Sequence, residues 1–185
     1  MLLQISLTFK CNLNCSYCAQ TFHLGHRPKV KETGFIGWVK FFKRFPYKIK
    51  EVYVSGGEPT LHRDFARIVR YLLSQGYYVK VFSNLMNIDE FYNIPKCYRF
   101  RIQATYHHKD CVYTFDRNYR LLTRNLGHIV YVNEIESPQI FKYSKLQRLL
   151  DNSNTYENGR NDYDQSCLRI SPDLRINLNC HDLLS

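Results

Sequence analysis

The sequence has no apolar run of about 18 residues, the minimum for an ordinary membrane-crossing helix. It has no basic segment ahead of a long apolar stretch either. It opens Met1-Leu2-Leu3-Gln4-Ile5-Ser6, which argues against a secretory signal and points to the cytoplasm. Internal repeats and low-complexity tracts are absent. An even cysteine framework is also missing: the seven cysteines read as reduced thiols available to a metal rather than as disulfide staples. With 185 residues the chain is too short for an eight-unit β/α barrel, which needs roughly 250. Whole-chain disorder does not suit 44% hydrophobic and 23% charged residues, and one sizeable core is expected.

Positive charge is in excess, with 26 Lys and Arg against 16 Asp and Glu, a formal net charge of +10. Basic runs lie at residues 26–31 and 40–50. Such a surface suits nucleic acid, a nucleotide or an acidic peptide, and equally a solvated face.

Periodicity and breakers predict strands at residues 2–9, 50–55, 77–82, 99–105 and 128–133. Helices are predicted at 34–45, 62–75 and 113–125, a short one at 88–92, and a further one at 139–150 after Pro138. Strand and helix alternate about five times, the pattern of a parallel sheet covered by helices. Residues 1–150 are expected to form this core. Residues 151–185 are expected to be a polar loop followed by a Cys-containing extension. There, Leu168 and Ile170, then Leu174, Ile176 and Leu178, alternate around Pro172-Asp173 and predict a hairpin.

The chemistry concentrates in two tracts. Cys11, Cys15 and Cys18 form C-x3-C-x2-C directly after the first strand, and three thiolates so spaced can converge on one metal centre. Zinc would need a fourth ligand, with His23 and His26 nearby, whereas soft thiolates equally suit an iron–sulfur cluster. With three protein ligands, one iron of a four-iron cluster stays open to a small molecule. Gly56-Gly57-Glu58-Pro59 follows the second strand. Its glycines permit a tight turn, and Glu58 with the adjacent carbonyls is placed to receive an ammonium group. In parallel sheets ligands bind beyond the carboxyl ends of the strands, and both tracts lie there.

These residues carry a specific resemblance. The segment from Cys11 to Cys18, with Tyr17 directly before the last cysteine, resembles the cluster loop of radical S-adenosylmethionine (radical SAM) enzymes. The tract Val54-Ser55-Gly56-Gly57-Glu58-Pro59 resembles that family's GGEP segment. Ser83-Asn84-Leu85 is similar to its Thr-Asn-Gly at the end of strand three, with Leu85 in place of the glycine. The resemblance spans roughly residues 2–150.

It implies a partial, open (β/α)6-like TIM barrel with a short C-terminal hairpin. It implies a [4Fe–4S] cluster on Cys11, Cys15 and Cys18, and S-adenosyl-L-methionine on the open iron. Tyr17 would lie near the adenine. Gly56, Gly57, Glu58 and Pro59 would contact the methionyl ammonium. Ser83 and Asn84 would lie near the ribose or the methionyl carboxylate, and Gln103 or Thr105 would serve similarly. Leu7 and Phe9 would shield the cluster. Tyr106, His107 and His108 follow strand four at the same end and are candidates for substrate or SAM contact.

The implied activity is reductive cleavage of SAM to a 5′-deoxyadenosyl radical that abstracts a substrate hydrogen, fed by an external low-potential electron donor. Ile170-Ser171-Pro172-Asp173-Leu174 resembles the start of an auxiliary-cluster (SPASM/twitch-like) extension, again with Leu174 in place of a glycine. Cys167 and Cys180 are two ligands where an auxiliary cluster needs more, so a second cluster is not expected; Cys97 and Cys111 have no assigned role. Because the tail looks like a trimmed peptide-maturase extension, a peptide or protein substrate leads. Nucleotide, nucleoside or RNA modification, glycyl-radical activation of a partner enzyme, and a non-enzymatic zinc-containing RNA-binding module stand as alternatives.

Overall fold

The computed structural model describes residues 1–15, 18, 29–107, 112–134 and 168–177. Seven strands form one sheet: β1 (Leu2–Ser6), β2 (Glu51–Ser55), β3 (Tyr78–Ser83), β4 (Phe100–Tyr106), β5 (Ile129–Glu134), β6 (Leu168–Ile170) and β7 (Ile176–Asn177). Their spatial order is β5-β4-β3-β2-β1-β6-β7. The first six run parallel, and β7 returns antiparallel to β6. The helices are α1 (Phe35–Arg44), α2 (Phe65–Ser74) and α3 (Val112–Arg120). Parallel strands separated by helices make the expected open, partial α/β barrel. No helix among the described residues is long and apolar enough to cross a membrane.

Side-chain alternation explains why helices cover one face only. Val52 and Val54, Val79 and Val81, and Phe100, Ile102 and Ala104 point to one side and are buried. They meet Trp38 and Phe42 of α1, Phe65, Ile68, Val69 and Leu72 of α2, and Phe115 of α3 in a single core. The intervening residues, among them Tyr53, Lys80, Arg101 and Gln103, are half-buried on the opposite face.

Helix entries account for most boundary differences. The predicted helix at 62–75 begins only at Phe65, because Pro59–Leu61 closes a 3-10 turn first. Asp64 then caps α1 from outside: its Oδ2 accepts from the Phe35 backbone N–H at 2.9 Å. That bond, helped by the neighbouring cations and against the effect of burial, holds the Asp64 carboxyl below the ordinary carboxylate range. The predicted helix at 113–125 is α-helical to Arg120 and finishes as a π turn over Leu121–Asn125. The predicted first strand leaves the ladder at Ser6, and Leu7 to Phe9 run on along the turn after β2 instead.

The C-terminal hairpin is present, and it belongs to the main sheet. β6 pairs parallel with β1, matching Leu3 to Leu168 and Ile5 to Ile170. Its turn also reaches the front of α1, where the Thr33 N–H donates to the Pro172 carbonyl at 2.9 Å. The helix expected at 139–150, and Cys111, Cys167 and Cys180, lie outside the described residues.

Candidate functional site

The carboxyl ends of β1, β2 and β3 are bound to one another by hydrogen bonds. The Gly57 N–H donates to the Thr8 carbonyl and the Glu58 N–H to the Lys10 carbonyl, both at 2.8 Å. The turn after β2 therefore grips the backbone just before Cys11. Its glycines are demanded by that approach. A Cβ on Gly57 would stand 2.1 Å from the Lys10 carbonyl oxygen, and one on Gly56 2.2 Å from that of Thr8. Gly56 also has φ +148, a conformation that side chains resist.

Glu58 points inward. Its carboxylate is fully buried and accepts from the Thr60 N–H and hydroxyl, at 3.2 and 2.8 Å, from the Ser83 hydroxyl at 3.0 Å and from the Asn84 N–H at 2.8 Å. Burial pushes this carboxyl above its usual range, against the pull of those donors. The side chain offered by sequence to a ligand ammonium thus serves as an internal pin between β2 and β3. Pro59 is buried at the start of the 3-10 turn. Ser83 is committed to the same pin.

Asn84 turns toward the cysteine loop. Its Nδ2 donates to Asn12 Oδ1 at 2.7 Å and approaches Cys11 Sγ at 3.7 Å, while its Oδ1 accepts from the Met86 N–H at 2.9 Å. Asn12, between the first strand and Cys15, carries no chemical signal of its own in the sequence, and its contact with Asn84 becomes visible only in the fold. Cys11, Cys15 and Cys18 are half-buried, and none of them is in a disulfide. The Leu13 N–H points at Cys11 Sγ at 3.4 Å, and the Cys18 N–H donates to the Cys15 carbonyl at 3.1 Å.

Among the described residues no three Cys, His, Asp or Glu side chains are already gathered as a metal-binding group. The donor set itself is three soft thiols on eight residues of a loop, anchored ahead of Cys11 by the Gly57 and Glu58 backbone hydrogen bonds. That set matches an iron–sulfur cluster with one iron left to a non-protein ligand.

Gln103 and Thr105 sit half-buried on β4, on the face away from the helices. Tyr106 is buried, and His107 follows at the same end; burial lowers the His107 imidazole to about 4. Cys97 lies before β4, at the other end of the sheet from Cys11. Tyr17, His23, His26 and His108 lie outside the described residues.

A family model for the radical SAM superfamily matches residues 5–100, just over half of the chain. The chain belongs to the radical SAM superfamily. Its cysteine loop and GGEP turn both fall within the matched stretch. Among curated proteins, the 7-carboxy-7-deazaguanine synthase of Aquifex aeolicus is 39% identical over 75 residues, covering 40% of this chain and 32% of that protein. The probable GTP 3′,8-cyclase of Pyrococcus abyssi is 40% identical over 68 residues, covering 37% and 22%. The matched stretch is thus about a third or less of each relative's length. Among solved structures, SuiB of Streptococcus suis bound to the precursor peptide SuiA superposes with a TM-score of 0.64 at 18% identity, covering 81% of this chain and 36% of SuiB.

Leu85 and Leu174 are the two non-glycine residues with positive φ among those described, at 56° and 67°, a conformation that strains a residue with a side chain. Both are positions at which the sequence resemblances lead one to expect glycine. Leu85 offsets that strain by complete burial, and its carbonyl accepts from Asn118 Nδ2 at 2.6 Å.

Proposed function

We propose that this protein is a radical SAM enzyme that binds one [4Fe–4S] cluster through Cys11, Cys15 and Cys18 and modifies a peptide or protein. The observation that carries the reading is the grip of the GGEP turn on the cysteine loop, through Gly57 and Glu58 on Thr8 and Lys10. When bound, the cluster supplies the electron, drawn from an external low-potential donor, for reductive cleavage of SAM.

The chain's own residues hold and shield that centre. Leu7 and Phe9, both buried, close the protein side of the loop. Asn84 donates toward Cys11 Sγ and helps fix where that sulfur sits. Glu58 fixes Asn84 and Ser83 so that SAM meets preset backbone at the ends of β2 and β3. With the Glu58 carboxylate and the Gly57 and Glu58 amides engaged inside the protein, the turn's contribution to a SAM ammonium is its carbonyls. Tyr17 is assigned to the adenine, and Gln103 and Thr105 to the SAM- or substrate-facing side of β4.

The peptide reading is supported by the hairpin turn with its Pro172-Asp173 and by the fold likeness to SuiB, whose structure holds a precursor peptide. On this reading residues 1–150 form the radical SAM core, residues 151–185 are a shortened SPASM-like extension without a cluster of its own, and the protein works in the cytoplasm. A nucleotide substrate is the second reading, favoured by the stretch shared with a probable GTP 3′,8-cyclase.

The test is anaerobic reconstitution followed by incubation with SAM and a reductant. About four irons per chain and formation of 5′-deoxyadenosine are expected. Both should disappear on Cys11→Ala, Cys15→Ala or Cys18→Ala. Product that persists in all three variants would sink the assignment. A mass change on a co-encoded peptide, rather than on a nucleotide, decides between the two substrate readings.

A further inference from the structure

The face of the sheet turned away from the helices carries an unusual pair. Lys80 of β3 and Arg101 of β4 are register partners, so their Cα atoms sit one strand spacing apart, about 4.8 Å. Both are half-buried. Like charges on directly paired positions repel, and taking cations out of water is costly unless an anion answers them.

No side chain among the described residues does. Among the described residues neither Lys80 nor Arg101 forms an ion pair. Lys80 Nζ has a 3.3 Å hydrogen bond to the Tyr53 hydroxyl and lies 4.8 Å from that ring's centre. The Arg101 guanidinium faces the Tyr131 ring at 5.9 Å, and its buried Nε has no hydrogen-bond acceptor among the described residues. Glu51, the next carboxylate along this face of β2, pairs in register with Tyr78 and bonds neither cation. Two cations and a buried donor are therefore held between aromatic rings with the acceptor missing.

The location gives the pair a purpose. Lys80 is three residues short of Ser83, about 10 Å along β3 from the end that faces the cysteine loop. Phe82 and Gln103, themselves register partners on the same face, form the row between. A molecule lying along this face would meet the cations at one end and the cysteine loop at the other.

We propose that Lys80 and Arg101 form an oxyanion-binding site for the substrate, and that the substrate carries a carboxylate or phosphate about 10 Å from its reacting carbon. The site's assignment to substrate rests on the radical SAM reading above; the anion binding itself does not. Arg101 supplies a forked, permanently charged donor and Lys80 a mobile point charge, a combination that suits either oxyanion.

The experiment is calorimetric titration of the anaerobically reconstituted protein, at low salt, with two probes: glutarate for a carboxylate source and pyrophosphate for a phosphate source. Wild type should bind at least one. Lys80→Met and Arg101→Met should each weaken that binding at least tenfold, as loss of a charge-assisted hydrogen bond does. Lys43→Met, which removes an exposed cation on α1, should leave it within twofold. Arg101→Lys keeps the charge and lacks the fork, and an intermediate loss is expected, which guards against misfolding of the methionine variant. Preference for one probe identifies the source. Binding of neither probe, or binding that all the variants retain, overturns the proposal. Absence of 5′-deoxyadenosine from wild type would instead overturn the catalytic reading and leave the anion site standing.

Discussion

The Asn84 backbone N–H donates to Glu58 Oε2 at 2.8 Å, and this bond ties the turn after β2 to the end of β3 inside the protein. With Ser83 and Thr60 on the other carboxylate oxygen, Glu58 is saturated by donors. Glu58→Gln places an N–H2 group among them, losing at least one bond and opposing donor to donor. A loss of about 1–3 kcal/mol is expected, read as a lower urea midpoint with unchanged slope. An unshifted midpoint would show that the pin carries no stability.

Gly57→Ala should be worse than an ordinary surface Gly→Ala change. Its Cβ meets backbone, which cannot swing aside as a side-chain tip does. The turn and the cysteine loop must separate, so a loss of at least about 2 kcal/mol is expected. Iron bound per chain after reconstitution should fall along with it. Full iron content at wild-type stability would contradict the role given to this contact.

Leu85 sets up an inversion of the usual order of substitutions. Leu85→Ala removes the buried side chain and keeps a Cβ at positive φ. Leu85→Gly removes the side chain and relieves the backbone. Glycine ordinarily costs about 0.5–1 kcal/mol more than alanine. Here it should be the milder of the two, by about 1 kcal/mol. Chemical denaturation of the two variants side by side is sufficient, and the ordinary order would exclude strain at this position.

His107 should make the fold sensitive to acid. Its imidazole titrates near 4 when folded and near 6.5 when exposed. Between those values the unfolded chain binds a proton that the folded state refuses. Stability is therefore complete above about pH 6.5 and falls as the pH drops toward 4, by up to on the order of 3 kcal/mol. His107→Gln should flatten that part of the curve, measured by urea denaturation at several pH values. His62 adds a slope of the same sign, since burial lowers its imidazole too. Its two bonds, Nε2 to the Thr33 carbonyl and Nδ1 to the Asp64 N–H, fit the neutral ring.

Trp38 on α1 offers a control for the core. Its ring is fully buried, while its indole N–H has no acceptor among the described residues. Trp38→Phe keeps most of the apolar volume and leaves no polar group behind, so a loss below about 1.5 kcal/mol is expected. Trp38→Ala should cost about 3–5 kcal/mol.

The elements were legible wherever apolar periodicity and breakers agree, as in the stretch Phe65, Ile68, Val69 and Leu72 closed by Gly76. Strand ends were less so, because Leu7, Thr8 and Phe9 are as buried as strand residues although they pair with a turn. The cysteine loop and GGEP turn were legible as chemistry through residue type and spacing. Which way Glu58 points was not, since a buried carboxylate and a ligand-facing one have the same local sequence. Its donors, Ser83 and Asn84, come from 25 and 26 residues away. The Lys80–Arg101 pair escaped for a similar reason: each is an ordinary basic residue on a strand until register sets them side by side. The glycine positions run the other way. There the resemblances pointed to a backbone conformation that Leu85 and Leu174 conceal by their residue type.

The pairing of β6 with β1 bears on how the chain is made. β1 leaves the ribosome well before its partner on one side, Leu168–Ile170, which emerges more than 160 residues later. Until then the strand leading into Cys11 has one open edge, with hydrogen-bonding groups that another chain can occupy. Closing so long a loop slows folding more than it costs stability. Completion of the sheet beside the cysteine loop thus has a natural timer: the thiols are translated more than 140 residues before the strand that closes the edge of β1.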